Sequence, residues 1–198
     1  MKKLFYLILL ITSVSFGQTA NYFFNKGLDK FESKDYKGAI LEFTKSININ
    51  PNDAETFNNR GLSKAKLKDY KGAISDFTKA ININPNYDLA YNNRGLSKDN
   101  LKDYRGAIED FNKAININPN YDNAYLNRGI SKYNSNDFLG AIADCNKIIE
   151  SNPSDAESYF IRGISKYYLN NINGSCQDAR KAKELGYDET NLINIVCK

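Results

Sequence analysis

Between residues 54 and 87, apolar or small side chains fall at Phe57, Gly61, Leu62 and Ala65, and again at Tyr70, Ala73, Ile74, Phe77, Ala80 and Ile81. Steps of three and four are the period of an amphipathic helix, so the segment predicts two helices, broken at Lys68-Asp69. Asp69 is placed to cap the second helix, and Asp35, Asp103, Asp137 and Asn171 hold the same position elsewhere. Pro85 cannot continue a helix and biases Asn84 away from helical backbone, which ends the second helix there. Ser154 followed by Glu157 predicts a capping box at the start of a later helix.

The pattern recurs. Pro51, Pro85, Pro119 and Pro153, the four prolines of the chain, are spaced by 34 residues, as are Gly27, Gly61, Gly95, Gly129 and Gly163. Gly38, Gly72, Gly106, Gly140 and Gly174 repeat the same interval. Five units follow, 20–53, 54–87, 88–121, 122–155 and 156–189, with 190–198 as a C-terminal capping segment. One helical hairpin of this size cannot bury its own apolar stripe, so each copy is expected to lean on the next.

In the second unit Phe57, Gly61, Tyr70, Ala73 and Pro85 stand where the tetratricopeptide repeat has its aromatic, small, aromatic, Ala and Pro positions. Equivalent residues fill the other units, so residues 18–189 resemble five tetratricopeptide repeats. The resemblance implies an all-α fold, a right-handed α-solenoid of helix-turn-helix repeats, whose first helices line a concave groove that holds a partner segment. Carried over by position, the groove consists of Phe24, Leu28 and Phe31, then Asn58, Leu62, Asn92 and Leu96, then Leu126, Ile130, Tyr133, Phe160, Ile164 and Tyr167, with Tyr168 beside them. Apolar ends and a middle with amide groups suit a peptide or helix with hydrophobic anchors. For the aromatics near the end of the stack the alternative is packing against the capping helix. Family members that clamp a C-terminal carboxylate use Lys and Asn at positions filled here by Asn, Leu or Phe. The last unit also departs from the pattern, with Tyr187 in place of Pro.

A further departure is a cation where Leu is usual: Lys26, Arg60, Arg94, Arg128 and Arg162. Sixteen residues after each comes an acid, Glu42, Asp76, Asp110, Asp144 and Asp178, and Lys is matched with Glu where Arg is matched with Asp. An ion pair between the two helices of each unit is expected, because a charge at a helix crossing needs a partner. Two lysine ladders, Lys30, Lys64, Lys98, Lys132 and Lys166, and Lys45, Lys79, Lys113, Lys147 and Lys181, are read as stems covering apolar surface with their heads in water.

Composition narrows the chemistry. With 41% hydrophobic and 25% charged residues the chain is of the folded, water-compatible class. Histidine is absent, which removes the usual neutral-pH base and the commonest metal ligand. No catalytic residues, metal site or cofactor motif emerge, and a formal charge of +4 is too small to argue for nucleic acid. "MKKLFYLILLITSVSFG" has the three-part pattern of a secretory signal, cut after Gly17, so an exported protein without a stable membrane anchor is expected, in the periplasm, the cell envelope or the medium. Export makes the three cysteines relevant. Cys145 aligns with Phe43, Phe77 and Phe111 and reads as a small buried hydrophobe, whereas Cys176 and Cys197 are the pair expected to form a disulfide that staples the last helix. The functional expectation is a non-catalytic adaptor that binds a protein or peptide; the alternative is a module that assembles with itself or binds envelope material.

Overall fold

The computed structural model describes residues 19–187 and 190–197, with the backbone alone for 190–192. The expected signal segment lies outside the described residues. Every regular element described is helical: α1 (residues 19–32), α2 (Tyr36–Ile49), α3 (Ala54–Lys66), α4 (Tyr70–Ile83), α5 (Asp88–Asn100), α6 (Tyr104–Ile117), α7 (Asp122–Asn134), α8 (Phe138–Ser151), α9 (Ala156–Tyr168), α10 (Ile172–Glu184) and α11 (Thr190–Val196). The fold is the all-α stack of helical hairpins that the periodicity implies. It divides into two compact units, residues 1–97 and 98–198.

In the first unit, Phe43 and Phe77 are fully buried, and Ile47, Phe57, Ala80, Ile81 and Ala90 form one core, flanked by Ala54, Ile83, Tyr87 and Tyr91. Gly61 is required by close approach: a Cβ there would stand 2.7 Å from Cε1 of Phe77. In the second unit Phe111 and Cys145 occupy the corresponding interior positions. Cys145 replaces a ring, and the constraint relaxes, since a Cβ on Gly129 would meet Cβ of Asp144 at 3.4 Å and the Cys145 sulfur at 3.8 Å.

The turns are built alike. Asp35, Asp69, Asp103, Asp137 and Asn171 cap the second helices, each side-chain oxygen accepting from the N–H of the glycine three residues on at 2.9–3.0 Å. Just before each cap, Lys34, Lys68, Lys102, Asn136 and Asn170 take left-handed backbone, with φ between 60° and 66°. At α9 the expected Ser154–Glu157 capping box is replaced by Asp155, whose Oδ1 accepts from the N–H of Ser158 at 2.7 Å. Asp155 immediately precedes the first helical residue, so its carboxylate reaches the free N–H groups of the first turn.

Candidate first-helix interaction face

Three of the cations expected at a helix crossing, Arg60, Arg128 and Arg162, are tied into buried clusters. Arg60 donates from Nε and Nη2 to the two carboxylate oxygens of Asp76 at 2.9 and 2.7 Å. Arg128 does the same to Asp144 at 2.9 and 2.5 Å, and Arg162 to Asp178 at 2.9 and 2.6 Å. The fork geometry matches guanidinium to carboxylate, and the hydrogen bonds to Asp178 push the Arg162 guanidinium further toward its charged form.

The remaining nitrogen reaches back one repeat. Nη1 of Arg60, Arg94, Arg128 and Arg162 donates to Thr44, Thr78, Asn112 and Asn146 at 2.6–3.1 Å. Each guanidinium also lies over the ring three residues earlier, Phe57, Tyr91, Tyr125 or Tyr159, at 5.1–5.5 Å. At Arg60, Arg128 and Arg162 the guanidinium therefore joins the two helices of its own repeat to the preceding second helix.

One lysine ladder belongs to the same cluster, which corrects its reading as solvated. Lys64, Lys98, Lys132 and Lys166 place Nζ 2.7–2.9 Å from Asp76, Asp110, Asp144 and Asp178. The aspartates are 3–4% exposed, and a carboxylate so buried gathers every cation within reach. Lys30, in the first repeat, pairs instead with the N-cap Asp35 at 3.0 Å.

The groove positions carried over from the repeat pattern have different fates. In the first unit Phe24 packs on the Phe43 ring at 5.9 Å and Phe31 on Tyr36 at 5.4 Å, while Leu28 and Leu62 are half-buried and Leu96 is 37% exposed. Asn58 and Asn92, expected to offer amides to a partner backbone, are each only 4% exposed. Oδ1 of Asn58 accepts from Nδ2 of Asn93 at 3.0 Å, so this amide ties neighbouring first helices together. The accessible part of this face is therefore apolar rather than amide, with Leu96 its most open side chain.

In the second unit Leu126 and Ile130 are half-buried. Tyr133 joins an aromatic cluster with Phe138 and Tyr168, both 5.9 Å away, and Phe138 stacks on Tyr168 at 4.8 Å with planes 5° apart. Burial, then the hydrogen bond with Tyr168, push the Tyr133 phenol up to about 12. Phe160, Ile164 and Tyr167 pack with Val196, Ala179 and Ile193 beneath α11, and Phe160 stacks on Tyr187 at 4.7 Å. The capping-helix alternative describes the aromatics Phe160 and Tyr167, whereas Tyr168 packs with Tyr133 and Phe138.

Cys176 and Cys197 are joined, with Cα atoms 5.1 Å apart. Cys145 is free and fully buried, and burial, with Asp144 next in weight, pushes its thiol up to about 12, which leaves it without thiolate character at neutral pH. Among the described residues no group of three or more His, Cys, Asp or Glu side chains is arranged to hold a metal, and no helix is long and apolar enough to cross a membrane.

Residues 54–87 and 89–121 match the tetratricopeptide repeat family model. Those two segments are tetratricopeptide repeats. Its fold is similar to a crystal structure of MamA, at 22% identity and a TM-score of 0.79, over 88% of this chain and 96% of that one. It is also similar to YrrB, described as a TPR protein with an unusual peptide-binding site, at 17% identity and a TM-score of 0.76, over 87% and 89% of the two chains. The first TPR of Spaghetti (RPAP3), bound to an HSP90 peptide, matches at 26% identity and a TM-score of 0.58, over 59% of this chain and 93% of that one. No curated protein matches the sequence.

Proposed function

We propose that the chain is a non-catalytic scaffold whose tetratricopeptide repeats hold a peptide or helix of a protein partner along the first-helix face. One observation carries the reading. Charged and amide groups at the helix crossings and between first helices are consumed internally, as at Asp76, Asp144 and Asn58, whereas aliphatic side chains recur partly open to solvent at Leu28, Leu62 and Leu96 in one unit and at Leu126 and Ile130 in the other. A face of this kind selects apolar anchors on a partner rather than a terminal charge. The bound HSP90 peptide of the Spaghetti repeats supports a peptide as the class of partner. The N-terminal signal pattern supports export, with the mature protein in the periplasm, the envelope or the medium.

The test is affinity capture from envelope and medium with residues 18–198, beside a Leu62→Asp/Leu96→Asp control whose helical spectrum and melting match wild type. A polypeptide retained by wild type and lost by the control supports the reading. Retention of the same material by both proteins rejects it. A second reading, self-association, is favoured by Leu139, 70% exposed on α8, and Leu41, 56% exposed on α2. Sedimentation over a hundredfold concentration range decides that reading.

A further inference from the structure

The first helices begin at Ala54, Asp88, Asp122 and Ala156, and α11 begins at Thr190, one period later. It therefore stands in the register of a sixth first helix, but it has only seven residues. A helix that short does not hold itself in water. Two things keep it in place: Val196, 2% exposed, seated with Ile193 against Ala179, Phe160, Ile164 and Tyr167, and the bond from Cys197 to Cys176 on α10. The seat is apolar, aromatic on one side, and built from residues of α9 and α10 that are set by the repeat itself.

We infer that this seat is a docking site for a short helix of a protein partner bearing aliphatic side chains three residues apart, and that the disulfide is the latch keeping it filled by the chain's own C-terminus. The inference rests on the proposed interaction face, because Phe160, Ile164 and Tyr167 continue that face at its C-terminal end. The occupant is defined by α11 itself, whose Ile193 and Val196 show what the seat accepts. A dithiol reductant opens the latch: it supplies two electrons and two protons, the sulfur–sulfur bond breaks, both cysteines become thiols, and the reductant closes to its own disulfide. α11 is then tethered at its N-terminal end only, and a partner helix competes for the seat. While the bond is intact the internal helix wins through its effective concentration.

The probe is a labelled peptide of residues 188–198 carrying Cys197→Ser, titrated against the full chain in three forms: oxidised, reduced with dithiothreitol, and Cys176→Ser/Cys197→Ser. Binding to the reduced and double-serine forms at least about tenfold tighter than to the oxidised form is expected. A peptide with Ile193→Asp/Val196→Asp should not bind any form, and this control leaves the protein's own fold untouched. Hydrogen exchange of residues 190–197 should accelerate on reduction while that of α8 does not. Equal binding to oxidised and reduced protein, no binding to either, or unchanged exchange in 190–197 overturns the latch. Because the Leu62→Asp/Leu96→Asp capture test acts on the first unit of oxidised protein, failure there leaves this result separately readable.

Discussion

Arg128 is the most informative residue to perturb. Arg128→Met keeps an apolar stem of similar length but removes two hydrogen bonds to Asp144, one to Asn112 and the contact with the Tyr125 ring. Asp144 is 3% exposed, so the substitution leaves a nearly buried carboxylate in place. Breaking a buried ion pair from one side costs about 3–5 kcal/mol. Here Lys132 remains 2.9 Å from Oδ2 and retains part of the compensation, which brings the expected loss to about 2–4 kcal/mol. Lys132→Met alone, with the arginine fork intact, should cost about 0.5–1.5 kcal/mol. Because each cation partly covers for the other, Arg128→Met/Lys132→Met should lose more than the sum of the single variants, by about 1 kcal/mol or more. Replacing the whole cluster with Arg128→Met/Lys132→Met/Asp144→Leu should recover much of the deficit, since no buried charge is then stranded. Urea denaturation with unchanged m-values is the assay. A loss below about 1 kcal/mol for Arg128→Met, or strict additivity in the double variant, would refute the shared-carboxylate account.

Other substitutions separate neighbouring causes. Gly61→Ala forces a Cβ to 2.7 Å from the Phe77 ring and should destabilise by about 1–3 kcal/mol, whereas Gly129→Ala meets nothing closer than 3.4 Å and should gain up to about 1 kcal/mol of helix propensity; paired thermal melts compare the two. Lys68 holds φ at 64°, where the fourth and fifth repeats already use Asn, so Lys68→Asn should raise stability by about 0.5–1 kcal/mol in the same melts. Burial first, then Glu55, Asp53 and Asp88, raise the Tyr87 phenol from 10.0 to about 12. The fold therefore favours the neutral form: the unfolded chain loses this proton first, so the contribution is complete below pH 10 and disappears as pH rises from 10 toward 12. Tyr87→Phe should flatten that part of the alkaline stability profile, and an unchanged slope would count against the burial argument.

Much of the architecture was legible because it is encoded locally and five times over. The helix pairs follow from three- and four-residue spacing, the caps from Asp35, Asp69, Asp103, Asp137 and Asn171, and the arginine–aspartate partners from a fixed separation of sixteen residues. The same separation, counted backward, reaches Thr44, Thr78, Asn112 and Asn146, so the link to the preceding repeat is encoded in the pattern as well. What spacing does not encode is competition between partners. Lys64 and Lys132 could have faced water; only the burial of Asp76 and Asp144 decides that they do not. Likewise Asn58 resembles a groove amide until Asn93 engages it, and Phe160 resembles a groove aromatic until α11 lies on it. These outcomes depend on contacts between helices, where one-dimensional periodicity has no term.

The first repeat shows how strict the internal circuit is. Its crossing cation is Lys26, whose Nζ lies 4.0 Å from Glu42, and Glu42 is held more closely by Lys45 at 2.8 Å. Elsewhere the crossing arginine also donates to a side chain sixteen residues earlier, on the preceding second helix. In the first repeat a lysine and a longer carboxylate span the crossing instead, and a second lysine on α2 completes the pairing of Glu42. On the proposed reading, variation that bears on binding falls outside this circuit, at the leucines and isoleucines of the first helices.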